Sequence, residues 1–423
     1  MKKVAVIGLG YVGLNLAVAL SKVHHVIGYD VSRTRIEELK NHWDKNGLVE
    51  TSVLKNSPIH YADDAALLKD AIFYIVVVST PIYANNLPNL EALSSATHTV
   101  AQVLKKGDVV VFESTVYPGT TEEVCLPILE SSGLKSSLDF GLGYSPERIS
   151  PGEKDKDVKR ITKIISAQDE KTLKEVEALY HSICDHLFPV STIATAEATK
   201  LLENIQRDVN IALMNEFTQA MHAFNIKMHE VIAGAQTKWS FVPFKPGFVG
   251  GHCIAVDPQY LIYRAGQEGL ELKLMSMART VNESMPDYVI GQIKRLLLQA
   301  KKDISKARIG VFGLTYKENV LDFRNSLALV LVEKLKQAGA IVLTHDPLLD
   351  KETAQKKYNL QLNELEEMQE LTLAIVVVGH DDYKKAGVGF FIPMLQSPKV
   401  LIDLPNLFVD CKETTKELVY WCL

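Results

Sequence analysis

A chain of 423 residues is too long for one ordinary hydrophobic core, so two or three domains are expected. With 47% hydrophobic and 23% charged residues it has the composition of an ordinary soluble globular protein. A formal net charge of −5 argues against nucleic acid or an anionic membrane as the main partner, while leaving room for local basic sites that take a phosphorylated small molecule.

The opening "MKKVAVIGLG" sets two lysines before an apolar run, as a signal peptide does, but the run turns glycine-rich at once and shows no small-residue cleavage site. Val4 to Leu9 predicts a short buried strand, Gly10 to Gly13 a turn, "LNLAVALSKV" an amphipathic helix and "HVIGYD" a second strand. Buried strands are expected again at "AIFYIVVVST" and "DVVVFEST". Strands alternating with helices predict a parallel sheet covered on both faces. From about Thr195 the pattern changes: "AEATKLLENIQRDVNIALMNEFTQAMHAFN" spaces its apolar residues helically without proline, and predicts one long helix with an extensive buried side. Gln267 to Ala300 is expected to be helical too, with a break near Pro286. Strand patterns return at Ala307 with "ARIGVFGLTY", then a helix at "SLALVLVEKLKQAG" and strands at "AIVLTHDP", "LTLAIVVVGH" and "KVLIDLPN". The order strand, helix, strand ending in an acid repeats the start of the chain. The fold class expected is therefore α/β, with two Rossmann-like parallel-sheet domains joined by a helical central region. No segment reaches the roughly 18 consecutive apolar residues that span a bilayer, and a cytoplasmic location is expected.

"GLGYVG" sets Gly8, Gly10 and Gly13 in the pattern G-x-G-x-x-G between the first strand and its helix, and Asp30 ends the second strand. Gly8 permits a tight turn, Gly10 lets the backbone approach a pyrophosphate at the helix N-terminus, and Gly13 lets helix pack closely on strand. Asp30 can bond both ribose hydroxyls and repels a 2′-phosphate, which favours NAD over NADP; Arg33 and Arg35 nearby pull the other way. A glycine turn without a nucleotide and an FAD enzyme of similar opening are the alternatives. The C-terminal repeat lacks the three-glycine turn and is the weaker dinucleotide site.

The five cysteines, Cys125, Cys184, Cys253, Cys411 and Cys422, are widely scattered and never in a C-x-x-C arrangement. That fits a reducing compartment rather than a disulfide framework. Cys253 lies in "FKPGFVGGHCIAVDPQYL", Phe244 to Leu261, just after Gly250, Gly251 and His252 and four residues before Asp257. A metal site there would need a set of ligands with recognisable spacing, and no second cluster completes one, so no metal is expected.

With these segments in place, the chain resembles the nucleotide-sugar dehydrogenase family, enzymes that oxidise the C6 alcohol of UDP-glucose, UDP-N-acetylglucosamine or UDP-N-acetylmannosamine to a carboxylate with two NAD⁺. The resemblance covers essentially the whole chain through "GLGYVG", "STP", "ESTVYPGTT", "SPERISPG", "EATKLLEN", "GGHCIAVDP" and "GLTYKENVLDFRNS". Within the family, "TKWSFVPFKPGFVGGHC" is similar to the enzymes of capsule and O-antigen pathways that make UDP-N-acetylglucosaminuronic acid or its galacto epimer; those acting on UDP-N-acetylmannosamine usually carry a His-Pro-Arg-type segment before the glycines. Ala255 and Gln259 stand where the family more usually has Gly and Tyr. The resemblance implies an NAD-binding domain at 1–192, a central helical domain with the dimer contact and the cysteine at 193–300, and a UDP-sugar-binding domain at 301–423. A homodimer or larger homo-oligomer is expected, the long apolar helix pointing the same way.

The chemistry implied gives Cys253 a purpose. An aldehyde has no spare hydride until something adds to its carbon; a thiolate can add, giving a thiohemiacetal that is oxidised to a thioester and hydrolysed. Lys200 and Asn204 are four residues apart on the predicted long helix and so share a face. The resemblance assigns to them the oxyanion that develops at C6. It makes Asp257 a handler of the proton or the hydrolytic water, Thr115 a proton relay through water, and Glu147 a general base. Thr115 and Glu147 follow predicted strands, where ligands collect in open α/β sheets. By the same resemblance the cofactor meets Gly8, Gly10, Tyr11, Val12, Gly13, Asp30, Arg35, Thr80, Pro81, Thr115 and Arg324. The substrate meets Glu147, Arg148, Lys200, Asn204, Phe244, Lys245, Pro246, Gly247, Gly250 and Lys317, with Phe244 to Gly247 along the uridine diphosphate. This requires the two α/β domains to face each other across a cleft, and Asp322 is expected to orient Lys317 or Arg324.

UDP-N-acetylglucosamine is the expected substrate, with its galacto and manno counterparts and UDP-glucose as alternatives. Two other readings differ in kind. A two-electron 3-hydroxyacid or 6-phosphogluconate-type dehydrogenase needs a lysine but no nucleophilic cysteine, so "GGHC" and the second α/β domain count against it. A non-catalytic nucleotide-sugar-binding protein would be expected to have lost some of Cys253, Lys200, Asn204, Asp257 and Glu147.

Overall fold

A computed structural model describes residues 1–47, 49–148, 159–251, 253–411 and 418–423. They fall into two compact units, Met1–Asn204 with Gln259–Glu271, and Ile205–Pro258 with Leu272–Leu423.

The first unit is built on β1 (Lys3–Ile7), β2 (His25–Tyr29), β3 (Ile59–Ala62), β4 (Phe73–Val76), β5 (Val109–Phe112), β6 (Gly141–Tyr144), β7 (Lys163–Ala167) and β8 (Leu187–Pro189). They form one sheet in the order β3-β2-β1-β4-β5-β6-β7-β8. It is parallel as expected, except that β7 runs antiparallel to β6. Side chains alternate between faces: Val4, Val6, Phe73, Ile75, Val109 and Val111 feed one apolar core, and Ala5, Ile7, Tyr74, Val76, Val110 and Phe112 the other. This two-sided burial is why the central strands read as unbroken apolar runs.

Chain order reverses between β1 and β4, and the glycine turn follows β1 at that point. Gly8 has φ +97°, a conformation that disfavours a side chain, and donates its N–H to Tyr29 O at 2.8 Å. Gly13 lies in the helix Tyr11–Ser21 so close to the turn that a Cβ there would sit 1.8 Å from Gly8 O.

The second unit carries β9 (Arg308–Phe312), β10 (Ile341–His345), β11 (Leu373–Val376), β12 (Val400–Asp403) and β13 (Val419–Cys422), all parallel, in the order β10-β9-β11-β12-β13. Among the described residues, 190–307 hold no strand. The helix Ile193–Ala223 is unbroken over 31 residues, as expected, and the helices Met228–Gln236, Asp257–Gln267 and Lys273–Gln299 follow. The expected break near Pro286 is absent: Pro286 lies inside the Lys273–Gln299 helix. One missing N–H is outweighed by packing, since Met285, Val289, Ile293 and Leu297 on this helix belong to the core that covers the second sheet. Rather than standing as a third compact unit, the helical segment divides between the other two.

The clearance at the first turn gives a direct test. Gly13→Ala is expected to lower stability by about 1–3 kcal/mol through forced displacement of the Gly8 backbone. Gly10→Ala, where a Cβ would meet nothing within 4 Å, should change it by less than about 1 kcal/mol. Denaturant midpoints of the two variants measure the difference.

Candidate active site

The loops after β1, β4, β5 and β6 leave the C-terminal ends of the first sheet. At the first, Leu9 N–H donates to Asp30 Oδ2 and Ser32 N–H to Asp30 Oδ1, each at 2.9 Å. Each oxygen keeps a further lone pair. The Tyr11–Ser21 helix has no side-chain cap at its N-terminus, Gly10 is exposed with open space where a Cβ would be, and Val12 packs on the core behind. Uncapped N–H groups, an approachable glycine and an oriented acid fit a dinucleotide. Arg35 sits behind this turn, buried, donating from Nε to Leu9 O at 2.9 Å and pairing with Asp44 at 2.8 Å and Glu38 at 3.4 Å. Its guanidinium braces the turn and is already shared by two carboxylates. The exposed Arg33 pairs with Asp63 at 3.3 Å.

The next two loops are laced together. Thr80 Oγ1 donates to Thr115 O at 2.6 Å and Ser114 Oγ to Val78 O at 2.7 Å. Tyr260 OH contacts the carbonyls of Thr80 and Pro81 at 3.0 and 3.1 Å. Glu197, on the long helix, ties the continuation of the Thr115 loop to that helix. Its carboxylate accepts from Gly119 N–H at 2.6 Å, Thr121 N–H at 2.9 Å and Thr121 Oγ1 at 2.7 Å. Burial pushes the Glu197 carboxyl up to about 7 against these bonds. Lys200, half-buried, and Asn204, buried, follow on the same helix one turn apart.

Behind Glu147 lies a buried charge cluster. Lys163, the first residue of β7, donates to Glu113 Oε2 at 2.9 Å, lies 3.9 Å from Glu147 Oε2, and stands 4.9 Å above the ring of Tyr180, which hydrogen-bonds Glu113. Burial works against the Lys163 charge, but Glu113 and Glu147 hold its pKa above the ordinary value. Burial raises the Glu113 carboxyl, opposed by Lys163. Glu147 itself accepts from Arg148 N–H at 2.6 Å, while the Arg148 guanidinium donates to Thr162 O at 2.6 Å and pairs with Glu203 at 2.7 Å.

In the second unit, Cys253 O accepts from Val256 N–H at 3.1 Å and Asp257 N–H at 2.9 Å, a turn that feeds the Asp257–Gln267 helix. Asp257 is thus one hydrogen-bonded turn beyond Cys253, is buried, and is the first residue of the helix. Cys253 is exposed, whereas Cys125, Cys184 and Cys422 are pushed up to about 12, 11 and 12 by burial. His252 lies outside the described residues. The glycines before it fit tightly: a Cβ on Gly250 would meet Asn325 O at 2.5 Å, and one on Gly251, at φ +82°, would meet the Tyr316 ring at 2.6 Å. Gly251 N–H donates to Asn325 O and Asn325 Nδ2 to Gly251 O, both at 3.3 Å. Within this unit the cysteine segment therefore lies against the loop of Arg324.

That loop repeats the build of the first turn. Gly313 N–H donates to His345 O at 2.9 Å and Leu314 N–H to Asp346 Oδ2 at 2.7 Å, matching Gly8, Tyr29, Leu9 and Asp30. Here the acid is buried and a second donor set consumes it. Thr315 N–H reaches Asp346 at 3.4 Å and the buried His380 Nε2 lies 3.4 Å from it. His380 Nδ1 accepts from Asn319 N–H at 3.0 Å, and Thr315 Oγ1 donates to Lys317 O at 2.9 Å. Asp322 takes Arg324, its Oδ2 2.6 Å from the guanidinium. Phe244 packs with Met214, Met228 and Ile232, Pro246 is buried, Lys245 is exposed and Gly247 is bonded to Asn215. Sequence reasoning missed Glu113, Lys163, Glu197, Asn215 and His380. The one available signal was a charge set beside an apolar strand run, as in "VVVFEST" and "ITKIISA".

Three models of the UDP-glucose/GDP-mannose dehydrogenase family match in succession: the NAD binding domain over residues 2–184, the central domain over 194–284 and the UDP binding domain over 310–410. The chain is 43% identical to Protein CapL of Staphylococcus aureus over 96% of both chains. It is 39% identical to the UDP-N-acetyl-D-glucosamine 6-dehydrogenase of Pseudomonas aeruginosa, over 97% of this chain and 98% of that one. The solved structure of a UDP-D-ManNAc dehydrogenase from Pyrococcus horikoshii superposes with TM-score 0.89 at 31% identity, covering 99% of this chain and 98% of that one.

The buried cluster predicts strong coupling. Lys163→Met should cost about 3–5 kcal/mol by leaving buried carboxylates without their cation, and adding Glu113→Gln should recover much of it. Denaturant unfolding of the two single variants and the double variant measures this; additive losses would mean the pair is not coupled.

Proposed function

Since the chain belongs to the UDP-glucose/GDP-mannose dehydrogenase family, we propose that it oxidises the C6 alcohol of UDP-N-acetylglucosamine to the uronic acid, for a surface polysaccharide. It is an NAD-dependent nucleotide-sugar dehydrogenase acting on a UDP-sugar. The choice of the gluco sugar rests on the relatives of that activity in Pseudomonas aeruginosa and Salmonella typhi, at 39% and 38% identity. The manno, galacto and glucose substrates are the alternatives its assay must separate.

The observation that carries the four-electron reading is Cys253, an exposed thiol beside two closely fitted glycines at the start of a helix. The positive end of a helix favours a thiolate. Bound NAD⁺ supplies the hydride acceptor for each oxidation. Gly8, Gly10, Tyr11, Val12 and Gly13 would hold its pyrophosphate and Asp30 its ribose, with Thr80, Pro81, Thr115 and Arg324 at the remainder and Arg35 acting from behind the turn. Lys200 and Asn204 donate to the C6 oxygen as its negative charge develops. Cys253 Sγ adds to the aldehyde carbon, and after the second oxidation the carbon–sulfur bond is a thioester. Glu147 takes a proton from the water that attacks it, the thiolate leaves, and the acid is released; Asp257 and Thr115 assist the proton transfers. Arg148, Phe244, Lys245, Pro246, Gly247, Gly250 and Lys317 would bind the nucleotide sugar.

We place the enzyme in the cytoplasm on the strength of its scattered cysteines, none of them in a C-x-x-C arrangement, and propose a homodimer. Leu202, Leu213, Phe217 and Phe224 are exposed and fall on one side of the long helix by helical spacing.

The assay is absorbance of NADH over a panel of UDP-sugars. Two NADH are expected per sugar, with UDP-N-acetylglucosamine giving the highest kcat/KM; one NADH with accumulated aldehyde would sink the thioester route. Cys253→Ser should keep its fold and NAD⁺ binding and lose complete turnover. Leu213→Glu with Phe217→Glu should give monomers by light scattering, and an unchanged mass would remove the helix stripe as the contact.

A further inference from the structure

The segment Phe244 to Gly247 is held by a side chain outside the proposed binding set. Asn215, fully buried on the long helix, accepts the Gly247 N–H at Oδ1 at 2.8 Å and donates from Nδ2 to the Gly247 carbonyl at 3.0 Å. One amide thus grips both polar groups of one residue's backbone. Its second Nδ2 hydrogen goes to Asn282 Oδ1 at 2.8 Å. Asn282 Nδ2 in turn donates to Asp208 Oδ1 at 2.7 Å and Asp208 O at 3.0 Å, and Arg279 donates to Asp208 Oδ1 at 2.6 Å. All four side chains are buried.

This chain has a direction. A carboxylate only accepts, so Asn282 turns its NH₂ to Asp208 and its oxygen to Asn215. Asn215 must then turn its NH₂ to Asn282, which leaves its oxygen for the Gly247 N–H. The polarity of the grip on the loop is therefore set at Asp208. A buried ion pair is a weak source of stability in itself, and Asp208 Oδ2 accepts no hydrogen bond among the described residues. Orientation is the better account of why these groups are buried. Gly251, four residues on, is held separately by Asn325, so losing the Asn215 bonds loosens Gly247 while Gly251 stays tied.

We infer that Asn215 is a positioning residue for the nucleoside diphosphate of the substrate, its amide held in one orientation by Asn282 and Asp208. This rests on the reading of Phe244 to Gly247 as the loop along the diphosphate. The test is calorimetric titration of the full chain with UDP, and with NAD⁺ in parallel. Asn215→Ala and Asn282→Ala are expected to weaken UDP by about tenfold each and to leave NAD⁺ affinity unchanged. In turnover, KM for the UDP-sugar should rise more than kcat falls. Asn215→Asp, which keeps an acceptor for the Gly247 N–H but loses both donations, should behave as the alanine variant. If Asn215→Ala does not fold, Asn282→Ala and Asn215→Asp decide the matter. Wild-type UDP affinity in a folded Asn215 variant overturns the inference. Wild-type protein that binds no UDP would instead remove the functional reading, and the inference with it.

Discussion

Loops that approach a ligand expose backbone N–H groups that neither helix nor sheet can satisfy, and a buried N–H without an acceptor is costly. This chain meets that constraint with side-chain acceptors at several loops of the proposed site. Asp30 takes Leu9 and Ser32, Glu197 takes Gly119 and Thr121, Asn215 takes Gly247, and Asp346 takes Leu314. Glu197 and Asn215 stand on the long helix, and Asp30 and Asp346 just past the ends of β2 and β10. The loops are thereby ordered without being drawn into regular structure, and their exposed faces remain for chemistry.

Holding loops this way puts charge where water is excluded. Glu113 and Lys163 show the cost most plainly: either alone would be a severe burden, and together they brace the strand ends beside Glu147. The cysteines are partitioned on the same principle. Burial keeps Cys125, Cys184 and Cys422 protonated and inert, and leaves Cys253 as the exposed thiol in the glycine segment.

What the sequence disclosed follows the range of each interaction. The glycine turn, Asp30, the long helix and the apolar central strands are local patterns, and the architecture was legible from them. β3, β8 and β13 do not show in the sequence because they are short edge strands with mixed composition. Local chemistry predicts a break at Pro286, whereas packing on the second sheet keeps the helix continuous. Lys200, Asn204 and Cys253 were reachable by motif. Their anchors were not, because the partners are remote: Glu197 and Gly119 are 78 residues apart, Lys163 and Glu113 are 50, and Asn215 and Gly247 are 32.

The two glycine turns share a build but differ at the acid. Asp30 stays partly open, while Asp346 is closed in by Thr315 and His380. For the history of such a fold this makes the difference hard to undo. Restoring the missing glycines to the second turn would not restore a ribose-binding acid, because His380 would still occupy its far side. A reversal needs changes in the turn and also at His380, 65 residues beyond Thr315.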